Sequence, residues 1–297
     1  MANDLNPILL TGATGYLGSR VSASLRARGI EFVPTGTKAV AGIACDLRNA
    51  ASVRRLLASV EPSVVIHCAA TVPSAGIGYE DSQAAGDSVG MMRTVASEAR
   101  CPIVFASSMT VYSCGTNFPV TEDMATGSLS GYALGKRDAE RLLFEREFPG
   151  DVALRLPGLF GLPRRSGLLY NAARSFMTRG SFELSNPTLM WAAMHVDDAA
   201  EYMVRAAIHT GDGAAQPINV GYDAEFSLPS AVAAIASLCG VEWTAPLVPH
   251  SAFSMSLKRL ESRYGVVGSS FHERLAEFVA AIRRELNPSS TEAGDAR

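Results

Sequence analysis

The segment that most limits how this chain can fold is Thr11-Gly12-Ala13-Thr14-Gly15-Tyr16-Leu17-Gly18. It follows the apolar triplet Ile8-Leu9-Leu10, which reads as a buried strand, and it opens a helical pattern that runs to about Arg28. Glycines at 12, 15 and 18 permit a tight turn, close approach of a pyrophosphate, and close packing of helix on strand. The helix N-terminus then offers its N–H groups and the positive end of its dipole to the phosphates. Three glycines would mean little in a chain that has 26 of them; the strand–turn–helix context carries the signal. On this pattern Gly12, Thr14, Gly15, Tyr16, Leu17 and Gly18 are the candidate cradle for a dinucleotide.

The same alternation continues downstream. Mainly apolar stretches at 30–33, 42–45, 64–66, 103–106 and 152–156 read as strands, and helical patterns at 52–59, 87–99 and 132–148 lie among them. Strands alternating with helices imply parallel strands and right-handed crossovers, hence an α/β protein with a doubly wound sheet covered on both faces. After Gly161 the pattern loosens into helices near 168–178, 197–208, 228–238 and 271–286, with one more strand at 218–220. The reading is a dinucleotide-binding domain over residues 1–161, with strands near 190–222 returning to its sheet. A smaller, mainly helical substrate lobe follows over 162–286, then a flexible polar tail over 287–297.

Composition closes off other classes. Over 297 residues, 26 basic against 29 acidic side chains leave a net charge of −3, so no basic field recruits nucleic acid or an anionic membrane. The five cysteines (Cys45, Cys68, Cys101, Cys114, Cys239) are scattered without a Cys-x-x-Cys pair, which reads as reduced thiols rather than a disulfide or zinc framework. No metal site is expected. The start, MANDLNPILL, lacks the blocks of a signal peptide, and the apolar run 64–72 is shorter than the ~20 residues of a membrane-spanning helix. A soluble cytoplasmic protein with a small-molecule partner is expected.

A second constellation carries chemistry. In Tyr132-Ala133-Leu134-Gly135-Lys136 the phenol and the ammonium lie one helical turn apart on one face. A neighbouring ammonium favours the phenolate, drawing a phenol from its reference pKa of about 10 toward working pH. Such a phenol exchanges a proton with a substrate oxygen while hydride moves at the adjoining carbon. The spacing is common in helices, and it gains weight from Ser107-Ser108 at the end of the preceding strand, where a hydroxyl can polarise the same oxygen.

Taken together, these pieces resemble the extended short-chain dehydrogenase/reductase family, the NAD(P)-dependent sugar-nucleotide epimerases, dehydratases and ketoreductases, over about residues 7–285. The matching segments come in family order. They are the glycine turn at 11–18, Cys45-Asp46-Leu47, His67-Cys68-Ala69-Ala70, the run at 107–113, the Tyr–Lys helix at 132–136, the run at 155–161, and His195-Val196-Asp197-Asp198. The resemblance implies a Rossmann-type fold with Tyr132 as catalytic acid/base and Ser108 beside the reacting oxygen. Lys136 would tune Tyr132 and hold the nicotinamide ribose, and Ser107 is the weaker neighbour of Ser108. By the same likeness Asp46 and Leu47 meet the adenine, and Cys68, Ala69, Ala70, Pro157, Gly158 and Leu159 line the dinucleotide. His195 and Asp197 read as a helix cap.

Departures from the family pattern narrow the reading. Met109-Thr110 stand where the 4,6-dehydratases carry Asp-Glu, and neither side chain can perform that proton transfer, so dehydration is not expected. Asp87 falls where the family often has Asn, and Gly158 where it has an amide. NAD-preferring sites end the second strand with a carboxylate that binds the ribose diol. Here the segment Val33-Pro34-Thr35-Gly36-Thr37-Lys38 has none, and Thr35, Thr37 and Lys38 can donate to a 2′-phosphate, so NADP is expected, with NAD the alternative. The link from Gly36 to Gly42 is short, similar to that in the family's sugar-nucleotide reductases, and with NADP the resemblance implies a reductase of 4-keto-6-deoxyhexose nucleotides. A nucleotide-sugar 4-epimerase is the rival, and a dinucleotide-sensing regulator without catalysis is a third reading. For the substrate, Thr71, Val72, Pro73 and Met109 are candidate sugar contacts, and Arg164, Arg165, Arg174 and Arg179 candidate diphosphate contacts. A homodimer through the helices carrying Met91, Met92, Val95, Leu142, Leu143 and Phe144 is implied by the resemblance.

Overall fold

A computed structural model describes residues 6–38, 42–74, 77–112, 118–124, 129–211, 213–246 and 252–287. Cys114 and residues 288–297 of the expected tail lie outside the described residues. Strands are β1 (Ile8–Thr11), β2 (Phe32–Gly36), β3 (Ile43–Ala44), β4 (Val64–His67), β5 (Ile103–Ser108), β6 (Val152–Leu156), β7 (Gly158–Phe160), β8 (Ala193–His195) and β9 (Gln216–Asn219). Helices are α1 (Tyr16–Ala27), α2 (Ala50–Val60), α3 (Ser82–Glu98), α4 (Gly131–Phe144), α5 (Leu168–Arg179), α6 (Val196–Ile208), α7 (Leu228–Cys239), α8 (Lys258–Tyr264) and α9 (Phe271–Leu286). They fall into two units: Met1–Pro157 with Val196–Val220 and Met255–Val267, and Gly158–His195 with Gly221–Ser254 and Gly268–Arg297.

The first unit is a 7-stranded sheet in the order β3-β2-β1-β4-β5-β6-β9. Every pairing in it is parallel. β1, β4, β5 and β6 are buried along their whole length, which is why they read as mainly apolar rather than alternating stretches. Leu9, Val65, Ile103 and Phe105 join Val53, Leu56, Met92, Val95 and Leu143 from α2, α3 and α4 in one core. Burying each large side chain of this kind stabilises the unit by roughly 1.5–3 kcal/mol. The chain steps outward from β1 to β2 and β3, then returns to the other side of β1 for β4. That reversal opens a crevice beyond the carboxyl ends of β1 and β4, the general location of ligands in open α/β sheets.

The second unit pairs β7 with β8 in parallel and packs α5, α7 and α9 together. The Phe271 ring centres its core, 5.1 Å from Phe226, 5.9 Å from Phe160 and 6.3 Å from Trp191. A capping box between Ser270 and Glu273 starts α9.

Several elements differ from the sequence reading, for local reasons. α3 begins at Ser82, five residues before the expected start, because Asp81 caps it by accepting from Ala84 N at 2.8 Å. The internal glycines 86 and 90 weaken the helical signal there. α4 ends at Phe144, and Glu147 beyond it takes a left-handed φ of 49° that no helix continues. β7 and β8 have three residues each, and α8 has seven, too short for a periodic pattern. Met92, Val95 and Leu143, expected on a dimer face, are buried in the core of their own unit, since apolar side chains on an inner helix face pack against the sheet first. No helix among the described residues is long and apolar enough to cross a membrane. Nor do they contain a cluster of three or more His, Cys, Asp or Glu able to hold a metal ion.

Candidate functional site

The glycine turn is built by close backbone contact. Gly12 has a φ of +70°, and a Cβ there would lie 2.6 Å from Ala69 N and 2.8 Å from the Cys68 carbonyl carbon. The turn therefore abuts the end of β4, and Cys68 N donates back to Thr11 O at 3.2 Å. A Cβ on Gly18 would lie 2.1 Å from Gly12 O, so only glycine lets α1 start this close to the turn. Gly15 is the N-cap of α1 without a side-chain cap bond, and the first turn carries no acidic residue. Nothing in that turn competes with an anion for the helix N-terminus. These features fit the pyrophosphate of a dinucleotide. A Gly18→Ala variant is expected to bind reduced nicotinamide dinucleotide at least tenfold more weakly in a fluorescence titration, because backbone must move; affinity within twofold of the parent would contradict this close fit.

Around the expected adenosine side, the residues separate by exposure. Thr37 and Lys38 are exposed. Thr35 does not accompany them: it is fully buried in register with Thr11, and its Oγ1 has no hydrogen-bond partner. Strand alternation turns it inward, so it is not a donor to a 2′-phosphate. Asp46 is exposed and accepts from Arg48 Nε at 3.1 Å, which holds its carboxyl below the usual range. Arg48 also lies 3.6 Å from Asp87 on α3. Leu47 is buried, whereas Cys68, Ala69 and Ala70 are half-buried at the turn after β4. Burial pushes the Cys68 thiol up to about 12, which leaves it an inert wall. Beside it His67 is buried and bonded through Nδ1 to Thr11 Oγ1 at 2.8 Å. Desolvation pushes His67 down to about 3, so its ring is neutral.

The Tyr–Lys helix meets the end of β5. Lys136 is buried, and its Nζ donates to Ala106 O at 2.6 Å, 4.8 Å from the Phe105 ring centre and 5.7 Å from that of Tyr132. Desolvation pushes the ammonium down to about 8, opposed by Cys68 and Glu140. Ser108 ends β5, and its Oγ accepts from Thr110 N at 3.2 Å and from Thr110 Oγ1 at 3.0 Å. As acceptor in both bonds, it keeps its own proton for an incoming oxygen. Ser107 is engaged elsewhere: its Oγ donates to Glu140 Oε1 at 2.5 Å. Successive strand residues point to opposite faces, so only one of the two serines can be held by Glu140.

Behind this cluster lies a buried polar network that the sequence reading omits. Glu140 holds Arg155 through Nη2 at 2.7 Å, with both side chains at most 6% exposed. Arg155 Nη1 donates to Tyr112 Oη at 2.8 Å and to Glu122 O at 3.1 Å. Tyr112 Oη donates to Asn219 Oδ1 at 2.6 Å, and Asn219 N donates to Glu122 Oε1 at 2.9 Å. The available signal was Glu140 itself, four residues after Lys136 on the same helical face.

The remaining candidates are placed as follows. Thr71 N donates to Ser88 Oγ at 2.9 Å, Pro73 is half-buried and Met109 is buried. Val72 is exposed. Pro157 ends the first unit, while Gly158 and Leu159 belong to β7 in the second, where Gly158 N donates to Ala192 O at 3.0 Å. Arg164, Arg165, Arg174 and Arg179 are exposed. Arg165 is paired with Glu285 at 2.8 Å, and Arg164 Nε donates to Ser166 Oγ at 3.1 Å. Asp197 in the first turn of α6 takes the Arg20 guanidinium of α1.

Comparison with known proteins agrees with this geometry. Methionine adenosyltransferase 2 subunit beta from Danio rerio is 30% identical over 156 residues, 52% of this chain and 48% of the relative. UDP-glucose 4-epimerase from Neisseria gonorrhoeae is 29% identical over 158 residues, 46% of this chain and 47% of the relative. The matches thus span about half the length of these curated relatives. A crystal structure of a dTDP-4-dehydrorhamnose reductase from Clostridium acetobutylicum shares the fold, with a TM-score of 0.78 at 20% identity, covering 93% of this chain and 99% of that one. The sequence profile of the NAD dependent epimerase/dehydratase family matches residues 8–221, and the chain belongs to that family.

Proposed function

We propose that this protein reduces a keto group on a nucleotide-activated sugar with NADPH, as a 4-keto-6-deoxyhexose-nucleotide reductase does. The observation that supports it most is that Lys136 on α4 reaches the Ala106 carbonyl, two residues before Ser108 at the end of β5, with Tyr132 one turn before Lys136. A bound reduced nicotinamide supplies the hydride. Tyr132 Oη gives its proton to the substrate's carbonyl oxygen, and the Ser108 hydroxyl donates a hydrogen bond to that same oxygen. The Lys136 ammonium, fixed by Ala106 O, stabilises the phenolate that remains. Thr37 and Lys38 favour the 2′-phosphate, since both are exposed and the end of β2 holds no carboxylate. The test is kcat/KM with each cofactor: NADPH is expected to be preferred, and a tenfold preference for NADH would remove this part of the reading.

Two other readings have specific support. The Neisseria relative is named a 4-epimerase, which favours interconversion of unreduced sugars without loss of NADPH absorbance. The zebrafish relative is named a subunit of an adenosyltransferase, which favours a dinucleotide-binding regulator. We read the α3–α4 groove of about 480 Å³, lined by Gly86, Gly90 and Gly135, as the face toward a second copy of the chain. A single-chain mass by light scattering would remove that reading.

A further inference from the structure

The turn before α3 is fastened to the start of α4. Tyr132 N donates to Tyr79 O at 2.7 Å, and Ser130 Oγ donates to Glu80 Oε2 at 2.5 Å. The contact demands glycine at 131, where φ is +49° and a Cβ would lie 1.9 Å from Tyr79 O. The Tyr79 side chain itself is 63% exposed. Its ring stands perpendicular to that of Tyr132, with centroids 5.9 Å apart. A rigidly mounted aromatic ring therefore stands in solvent beside the proposed proton donor.

Resting on the proposed function, we infer that Tyr79 is a substrate-contacting residue that stacks against the C–H face of the hexose of a nucleotide-activated sugar. An aromatic wall next to a few convergent polar groups is the usual make-up of a small-molecule site. An aromatic ring orients a flat apolar partner without demanding particular hydroxyl positions. With one sugar face against Tyr79, the keto oxygen is directed to Tyr132 and Ser108 together. The ring acts on binding and orientation, and gives no proton.

The experiment compares Tyr79→Ala and Tyr79→Phe with the parent. Binding of dTDP-glucose and UDP-glucose is read by saturation-transfer NMR, and turnover by NADPH absorbance with a 4-keto-6-deoxyhexose nucleotide. Tyr79→Ala is expected to raise the sugar Kd and KM about tenfold while the KM for NADPH stays within twofold, and Tyr79→Phe to match the parent. Unchanged sugar binding in Tyr79→Ala overturns the inference, as does an equal rise in the NADPH constant, which marks a general disturbance of α4. Weakened sugar binding without any NADPH oxidation by the parent supports Tyr79 and sinks the reductase reading. A parent that binds neither nucleotide sugar overturns both.

Discussion

A Tyr132→Phe variant is expected to lose about 10²–10⁴-fold in kcat, the usual contribution of a positioned general acid, while NADPH affinity stays within threefold. The change deletes one oxygen and leaves the ring, so the packing against Tyr79 and the 5.7 Å approach of Lys136 are retained. Measured by absorbance and by fluorescence titration, this split separates an enzyme from a regulator, which would be indifferent to the oxygen. The pH dependence adds a second readout. Burial lowers Lys136 from 10.5 to about 8, so its charge is present below that pH and lost above it. In the reductive direction kcat/KM should therefore fall as pH rises through about 8, and a flat profile between pH 7 and 9 would count against the Lys136 role.

The second large effect concerns stability. Glu140→Ala should destabilise the fold by about 3–5 kcal/mol, because Arg155 is left as a buried charge without its carboxylate. Ser107 loses its acceptor at the same time. Most of the penalty comes from the orphaned guanidinium, so the double variant Glu140→Leu with Arg155→Met should be more stable than Glu140→Ala alone. Urea midpoints at constant slope decide it: equal or additive losses would mean that the pair is not the source.

What could be read from the sequence divides along contact range. β1, the glycine turn and α1 were legible because each is specified within its own few residues. The Tyr132–Lys136 spacing was legible for the same reason, and α9 lies at 271–286 as its pattern predicts. The commitment of Ser107 to Glu140 was not, since it depends on β5 ending against the inner face of α4, 33 residues away. Nor was the inward turn of Thr35, which requires the register of β2 with β1. The sequence shows two adjacent serines and two nearby threonines as equivalent donors; strand geometry makes one of each unavailable. Tyr79 sits in an aperiodic loop and gave no pattern at all.

The first unit is assembled from three separated stretches of chain, with β9 completing the sheet edge and α8 following at Lys258–Tyr264. During synthesis, the stretch through β6 leaves the ribosome with β6 still an open edge and with the partners that Asn219 provides to Tyr112 and Glu122 not yet made. Closure of the sheet must wait until β9, Gln216–Asn219, has emerged. A nascent chain of this design depends on protection of that edge, and premature termination before residue 216 should yield an aggregating fragment rather than a free-standing dinucleotide-binding module.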